Sequence, residues 1–182
     1  MEKIVDNKIL CFEYIVSLLI QWHQDVTRSR DSYLDSFSRL KVLKLLFFVS
    51  AVDSSTENMG LLDVFSNFVA MPHGPVESDI YNSILKRETT VFDFPEREMK
   101  IRSLSENSFD SLSLDLKQRI EHAVNSLKNK NIHLVEYKPF DLVNISHRWS
   151  CWCITYEIAH FVGSRSLGMS SDSIRESDKY YS

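Results

Sequence analysis

The residues best suited to bind a metal ion lie late in the chain. His147, Cys151, Cys153 and His160 offer imidazole and thiolate groups, which are the donors that zinc prefers. On a helix, His147 and Cys151 would share a face, but Cys151 and Cys153 would point about 200° apart. We therefore favour the alternative in which both cysteines are small buried side chains that pack beside tryptophans.

The same residues could form a cysteine–histidine nucleophile pair, which needs a thiolate activated by a nearby base. Only their closeness in sequence supports such a pair. The chain lacks the nucleophile-elbow, P-loop, zinc-protease and dinucleotide-binding motifs, and its four glycines leave little room for phosphate-cradling loops. We predict that the protein is not an enzyme and has no catalytic residue, no cofactor and no metal site.

A second informative segment is the turn Met71-Pro72-His73-Gly74-Pro75. Two prolines and a glycine restrict or free the backbone at three positions around one histidine. One possible role of this turn is purely structural: it reverses the chain and starts a helix at Pro75. Because rigidity lowers the entropic cost of recognition, a protein partner could also bind it. The sequence leaves both roles open.

The third segment runs from Leu142 to Trp152 and contains Arg148, Trp149 and Trp152. Tryptophan and arginine are enriched at the energetic centres of protein–protein interfaces. Tryptophan is also well buried on average in protein interiors. An interface role and a core role are therefore equally open for these two rings.

A helix from about Asp35 to Val52 should position these segments. Its middle, residues 40–49, is apolar almost all round, which is typical of a helix buried on most sides. Lys41, Lys44 and Phe48 fall on one narrow stripe of this helix. We favour a neighbouring loop that covers Phe48; the alternative is an aromatic ring exposed for a partner.

Apolar residues at helical spacing predict five further helices. They run from Lys3 to His23, from about Pro75 onward, from Ser111 to about residue 128, from Phe140 to His147 after Pro139, and from about Cys151 to Val162.

The intervening segments have weaker patterns. Asp25 to Asp31 should be a loop, Leu61 to Phe65 one helical turn, and Asn67 to Met71 an extended segment. Residues 87–107 could form a short β-hairpin or an ordered arm, and the serine-rich tail from Gly163 could be mobile or an irregular strap. The expected fold is mainly α: a single helical domain with a short β-hairpin or extended arm.

Composition limits the class of protein. At 182 residues, 43% hydrophobic, the chain can bury a core. Its 21 basic and 25 acidic residues give a net charge of −4, which argues against direct nucleic-acid binding. An odd number of cysteines suits a reducing compartment, and the apolar stretch Tyr14 to Ile20 is too short to span a bilayer and lacks a basic leader. We expect a cytoplasmic protein without a membrane partner.

Three motifs together resemble one protein family. Leu40-Lys41-Val42-Leu43-Lys44-Leu45-Leu46-Phe47-Phe48 is similar to the "KL-LYFA" helix of the Panacea, or SocA-like antitoxin, domain. Phe68-x-Ala70-x-x-His73-Gly74-Pro75-Val76, followed by Tyr81, resembles its "F-A-x-x-x-GPV-x-x-x-(V/I)Y" signature. Leu142-x-x-Ile145-Ser146-His147-x-x-x-x-Trp152 is similar to its late "L-x-x-(L/T)(S/T)H-x-x-x-x-W" signature. The resemblance covers roughly residues 36–156.

The resemblance implies a mainly helical member of a bacterial or phage toxin–antitoxin module, with phage defence among its expected roles. Such a protein binds and neutralises a cognate toxin encoded by the adjacent gene, in a stoichiometric hetero-oligomer; a homo-oligomer is also open. The first alternative is a proteolytic adaptor or general interaction module that delivers a partner to a protease. The second is a metal-dependent hydrolase around His147 and Cys151.

The resemblance also supplies candidate positions and boundaries. The signature and partner-binding candidates are Phe48, His73, Gly74, Pro75, His147, Trp149 and Trp152. Two departures from the family pattern, Phe47-Phe48 and the segment 87–107, could determine partner choice. The expected organisation is an N-terminal helical extension (1–30), the antitoxin domain (31–162) and a polar tail (163–182).

Overall fold

The computed structural model of the chain describes residues 2–28 and 36–182, and it confirms a mainly α-helical fold with small antiparallel sheets. The helices in this part of the chain are α1 (Glu2–Thr27), α2 (Arg39–Ala51), α3 (Ser78–Lys86), α4 (Leu114–Lys130), α5 (Pro139–Ser146), α6 (Ser150–Phe161) and α7 (Ser171–Glu176). The strands are β1 (Phe68–Met71), β2 (Gly74–Glu77), β3 (Phe92–Asp93), β4 (Lys100–Ile101) and β5 (Leu167–Gly168).

The longest helix, α1, packs along α4. The Tyr14 hydroxyl donates a 2.5 Å hydrogen bond to Glu121 of α4, and the Trp22 indole donates one of 2.9 Å to the carbonyl of Ile132. The prediction ended α1 at His23, but the helix continues to Thr27, so the first residues of the expected loop are helical. Residues 29–31 of that loop lie outside the described residues.

Helix α2 forms the centre of the core. Ser38 caps its first turn by accepting from the Lys41 amide, so the helix begins at Arg39 and not at the predicted Asp35, which lies outside the described residues. Every residue from Lys41 to Ala51 is buried. Phe48 is covered by the rings of Trp149 and Tyr181, with centroids 6.1 and 6.0 Å away. The prediction of a covered Phe48 is confirmed, and its alternative, a ring exposed for a partner, is wrong.

The segment before the proline–glycine turn is extended, as predicted, and forms β1. It pairs with β2 on one side and with β5 on the other, in the order β2-β1-β5. The predicted helix start at Pro75 is wrong, because residues 74–77 are taken into this sheet as β2. Helix α3 starts only at Ser78, where the Glu77 carboxylate accepts from the Ile80 amide.

A second, two-stranded sheet joins β3 to β4 and confirms the hairpin alternative for residues 87–107. Farther along, Ser113 caps α4 and Pro139 opens α5, so both helices lie close to their predicted ranges. Helix α6 matches its predicted range within one residue at each end.

The tail from Gly163 has more regular structure than the sequence indicates. It adds β5 to the first sheet, forms α7, and buries the Tyr181 ring against Phe48. Lys179 donates hydrogen bonds to the carbonyls of Ala51 and Ser54 at the end of α2. The mobile alternative for the tail is therefore wrong: it is a strap that closes the core.

Candidate functional site

The turn at residues 71–75 is a tight β-hairpin connection. Met71 pairs with Gly74, and Pro72 and His73 form the link between the two strands. Gly74 has a φ of 89°, in a region that residues with a Cβ rarely adopt. The turn reverses the chain, as the structural role requires, but a strand follows it instead of a helix.

Lys44 of α2 holds this turn from one side. Its side chain is fully buried, and its Nζ donates a 2.5 Å hydrogen bond to the carbonyl oxygen of Pro75. Burial lowers the pKa of Lys44 from 10.5 to about 7, because a low-dielectric interior disfavours the charged form. A Cβ on Gly74 would lie 3.1 Å from this Nζ and 2.3 Å from the Ser146 hydroxyl. Glycine is therefore needed here for space as well as for its φ.

The end of α5 contacts the turn from the other side. The Ser146 hydroxyl donates to the carbonyl of Val143, so it is satisfied within its own helix. The His147 ring stacks on Trp152 with centroids 3.7 Å apart and planes 5° from parallel. Burial lowers the pKa of His147, and the nearby Lys44 and His73 add to that effect, while the Pro72 backbone opposes it. The net direction favours a neutral, stacked imidazole.

Trp152 connects α6 to the turn. Its indole donates a 3.0 Å hydrogen bond to the carbonyl of Met71, and its ring also stacks on Tyr156 at 5.0 Å. The first half of α6 is therefore fixed to the hairpin by one hydrogen bond and a stack of three rings, His147, Trp152 and Tyr156.

The two tryptophans belong to the core. Trp149 is fully buried against Phe47, with ring centroids 4.8 Å apart, and Trp152 is 8% exposed. The Trp149 indole donates to the carbonyl of Tyr180 in the tail. The interpretation of these two rings as an interface centre is wrong, because neighbouring elements of the same chain cover them. Arg148 stays exposed and lies over the Tyr180 ring, 4.3 Å from its centroid.

The structure brings five of the seven candidate residues together around the turn: His73, Gly74, Pro75, His147 and Trp152. The other two, Phe48 and Trp149, pack in the adjoining core. Among the seven, only His73 is exposed, and its ring meets the edge of Phe140 at 5.8 Å. The candidate positions thus form an interlocked support with one accessible imidazole.

The family described as "Antitoxin SocA-like, Panacea domain" matches residues 42–153. The chain belongs to this family. The Panacea match begins in α2 and ends in α6, so it includes the helix, the hairpin and the α5–α6 corner that interlock around the turn. No curated protein and no solved structure matches the chain. Each described helix is too short or too polar to cross a membrane.

The metal and nucleophile candidates at the end of the Panacea domain are not assembled into a site. Cys151 lies against Ser177, Cys153 donates from its Sγ to the carbonyl of His147, and His160 lies against Tyr156. Burial raises the pKa of both thiols, which disfavours a reactive thiolate. Within residues 2–28 and 36–182, no group of three or more histidine, cysteine, aspartate or glutamate side chains could hold a metal ion.

One surface feature of this Panacea protein is not predicted by its sequence pattern. Helix α6 and its C-cap residue expose apolar side chains that we call the α6 ridge: Ile154 (59% exposed), Ile158 (47%), Phe161 (91%) and Val162 (62%). Ile154, Ile158 and Phe161 are four and three positions apart, so they lie on one face of the helix. The family match ends at residue 153, just before the ridge begins.

The sequence carried a weak signal for the ridge. Helix α6 is apolar almost all round, a pattern that ordinarily indicates burial on all sides. The helix instead buries the face that carries Cys151, Trp152 and Ala159, and among the described residues nothing covers Ile154, Ile158 and Phe161.

Proposed function

We propose that this chain is an antitoxin that neutralises a cognate protein toxin by direct, stoichiometric binding, with the α6 ridge as the contact surface. Membership of the antitoxin family supports a toxin as the partner. The observation that carries the proposal is the exposed apolar face of α6. Phe161 leaves 91% of its surface in solvent, which is costly unless another molecule covers it.

The spacing of the ridge suits a helix that lies in a groove of its partner. Residues 154, 158 and 161 repeat at the intervals by which amphipathic helices anchor in such grooves. Burying a large apolar side chain contributes roughly 1.5–3 kcal/mol, so three or four such anchors could supply most of a binding energy. The aromatic ring of Phe161 would be the strongest single anchor.

The buried signature residues support this surface indirectly. The hydrogen bond from Trp152 to Met71 and the ring stack with His147 fix the start of α6. A fixed helix loses little conformational entropy on binding, and this improves affinity without adding any contact. We assign His73, Gly74, Pro75, His147 and Trp152 to holding the ridge in place, with the exposed His73 as the one that could also contact a partner.

The net negative charge of the chain supports a partner with a basic surface. The net charge of −4 would speed association with a basic toxin, because complementary charge raises on-rates more than final affinity. The acidic side chain nearest the ridge in sequence is Glu157, which is exposed on the same helix. A toxin with a basic rim around an apolar groove fits both features.

The test is co-expression with the protein encoded by the neighbouring reading frame, scored by growth and by co-purification. The ridge variant combines Ile158→Asp with Phe161→Asp, and the matched control combines Leu114→Asp with Ile132→Asp. Leu114 and Ile132 are 71% and 51% exposed and lie at the start of α4 and just after its end, so the control makes the same chemical change at another helix. Circular dichroism checks that all proteins fold.

We expect the parent chain and the control to rescue growth and to co-purify in a fixed ratio, and the ridge variant to lose both. Rescue of growth by the ridge variant would show that the α6 ridge is not the surface that contacts the toxin. Rescue that fails in cells lacking an ATP-dependent protease would replace direct neutralisation by the adaptor function. A parent chain that is dimeric alone, and monomeric as the ridge variant, would assign the ridge to self-association instead.

A further inference from the structure

A cavity of about 450 Å³ opens between the start of α2 and the start of α5. Its lining includes the N-cap Ser38 and Lys41 of α2, the N-cap Lys138 and Phe140 of α5, and Arg97 from the β3–β4 connection. None of these residues belongs to the α6 ridge. The cavity is therefore a separate feature of the molecule.

Lys41 is the most unusual residue in this lining. It is 2% exposed, and among the described residues its Nζ has neither a hydrogen bond nor an ion pair within 4 Å. The amine lies over the Phe37 ring, 5.1 Å from its centroid. Burial lowers the pKa of Lys41 to about 8, and the charge of Glu136, which also lines the cavity, opposes that shift. Since no acceptor among the described residues takes a hydrogen bond from this amine, a ligand in the adjacent cavity could accept one.

Two helix N-termini meet at the same cavity. In α2, the Ser38 side chain caps only the amide of Lys41, and the amide of Leu40 keeps no partner within its own helix. In α5, Lys138 provides no side-chain cap, Pro139 has no N–H, and the Phe140 amide is left free of its own helix. The positive ends of both helices therefore point toward one space, and such ends favour bound anions.

The charged side chains around the cavity add to this preference. Lys41, Arg97 and Lys138 are basic, against the two acidic residues Glu96 and Glu136. The volume exceeds that of a bare anion, and Leu40, Tyr137 and Phe140 supply apolar surface. The lining thus offers donors for an oxyanion, acceptors for hydroxyl groups, and rings for an organic part.

We propose that this cavity binds the phosphate group of a small phosphorylated metabolite such as a mononucleotide. Lys41, Arg97 and Lys138 contact the phosphate oxygens together with the free amides of the two helices. Glu96 and Glu136 face the hydroxyl-bearing part, where a second phosphate would be repelled. This assignment does not depend on the antitoxin function, because it uses none of the ridge residues.

The test is isothermal titration of the full chain at pH 7.5 and constant ionic strength, with inorganic phosphate, adenosine monophosphate and adenosine as probes. We expect saturable binding of phosphate and of the monophosphate, and none of adenosine. Lys41→Met should weaken binding at least tenfold while Lys41→Arg restores most of it. Lys130→Met, at an exposed lysine at the end of α4, should leave the affinity unchanged.

A second variant guards against a folding defect. Lys138 is exposed, so Lys138→Ser should leave the fold intact and still weaken phosphate binding several-fold. Absence of saturable binding for both phosphate and the monophosphate would overturn the proposal. Equal affinity in the parent chain and in Lys41→Met, or binding of adenosine as tight as that of its monophosphate, would overturn it as well.

Discussion

Gly74 and Gly163 differ in why a larger residue is disfavoured: at Gly163 the reason is backbone strain alone, and at Gly74 it is strain together with steric crowding. Gly74 and Gly163 have φ values of 89° and 72°, so an alanine at either position would be strained. A methyl group on Gly163 would meet no atom within 4 Å, whereas a Cβ on Gly74 would meet the Ser146 hydroxyl at 2.3 Å. The family signature thus needs glycine at position 74 because the turn, α2 and α5 are packed against each other there.

The corresponding substitutions should differ in cost. We expect Gly163→Ala to lower the free energy of unfolding by about 1 kcal/mol, the cost of the left-handed backbone alone. Gly74→Ala should lower it by roughly 3 kcal/mol, since the methyl group must also displace Ser146. Urea denaturation followed by tryptophan fluorescence measures both. In the double variant with Ser146→Ala, part of the loss should return; strictly additive effects would show that the contact with Ser146 is not the cause.

At the scale of elements, α1 is tied to the β3–β4 hairpin by one buried carboxylate. Glu13 is fully buried and accepts hydrogen bonds from the amides of Thr90, Val91 and Phe92, at 3.0, 2.7 and 2.9 Å. Its second oxygen accepts from the Thr90 hydroxyl. Helix α1, which lies before the family match, therefore supplies the acceptors that the start of β3 cannot find in its own short sheet.

Removing this carboxylate should loosen the hairpin before it unfolds the chain. We expect Glu13→Ala to lower the free energy of unfolding by about 3 kcal/mol or more, because two buried amides and one partly buried amide lose their acceptor. Glu13→Gln keeps one oxygen for those amides and should cost about half as much. Hydrogen exchange at Val91 and Phe92 is the direct measurement. Glu88→Ala, at an exposed position nearby, is the control; faster exchange there too would mean that the hairpin is loose for another reason.

Which elements could be predicted depends on where their stabilising partners lie in the sequence. Helix α4 could be predicted because its cap, Ser113, and its apolar face are local. The start of α3 could not, because residues 74–77 are recruited by pairing with β1. From the sequence of α2 alone, the stripe of Lys41, Lys44 and Phe48 resembles a solvent-facing surface. The groups that bury it are distant in sequence. The carbonyl that Lys44 needs lies 31 residues away, and Tyr181 covers Phe48 from the tail.

The candidate site, like the fold, could be predicted only where its features are local in the sequence. The three family motifs identified the segments that meet, since each has a local pattern: an apolar run with two lysines, a proline–glycine turn, and a histidine followed by a tryptophan. They did not show which of these side chains stay accessible, because burial is set by the tail and by α6. The sequence left an interface role and a core role equally open for Trp149 and Trp152 for that reason, and it does not predict the α6 ridge for the same reason.

At the scale of the whole molecule, buried lysines make the stability depend on pH. Burial lowers the pKa of Lys44 to about 7 and that of Lys41 to about 8, against 10.5 for an ordinary lysine. Between these values and 10.5 the unfolded chain holds protons that the folded chain has released. Stability therefore rises with pH in this window and is lost as pH falls through the folded pKa. Burial also raises the pKa of Cys11 to about 12 from 9.0, and that contribution is lost only above pH 9.

The lysines dominate the interval from pH 7 to 8.5, since it lies below the ordinary thiol pKa of 9.0. We expect the free energy of unfolding of the parent chain to rise across it, with about 1.5 kcal/mol of the increase due to Lys44. Lys44→Met should remove that part of the slope, although it also leaves the Pro75 carbonyl without its donor at every pH. Lys130→Met, an exposed substitution, should keep the parent slope. Urea titrations at closely spaced pH values give the result, and an unchanged slope in Lys44→Met would show that this amine stays charged in the folded protein.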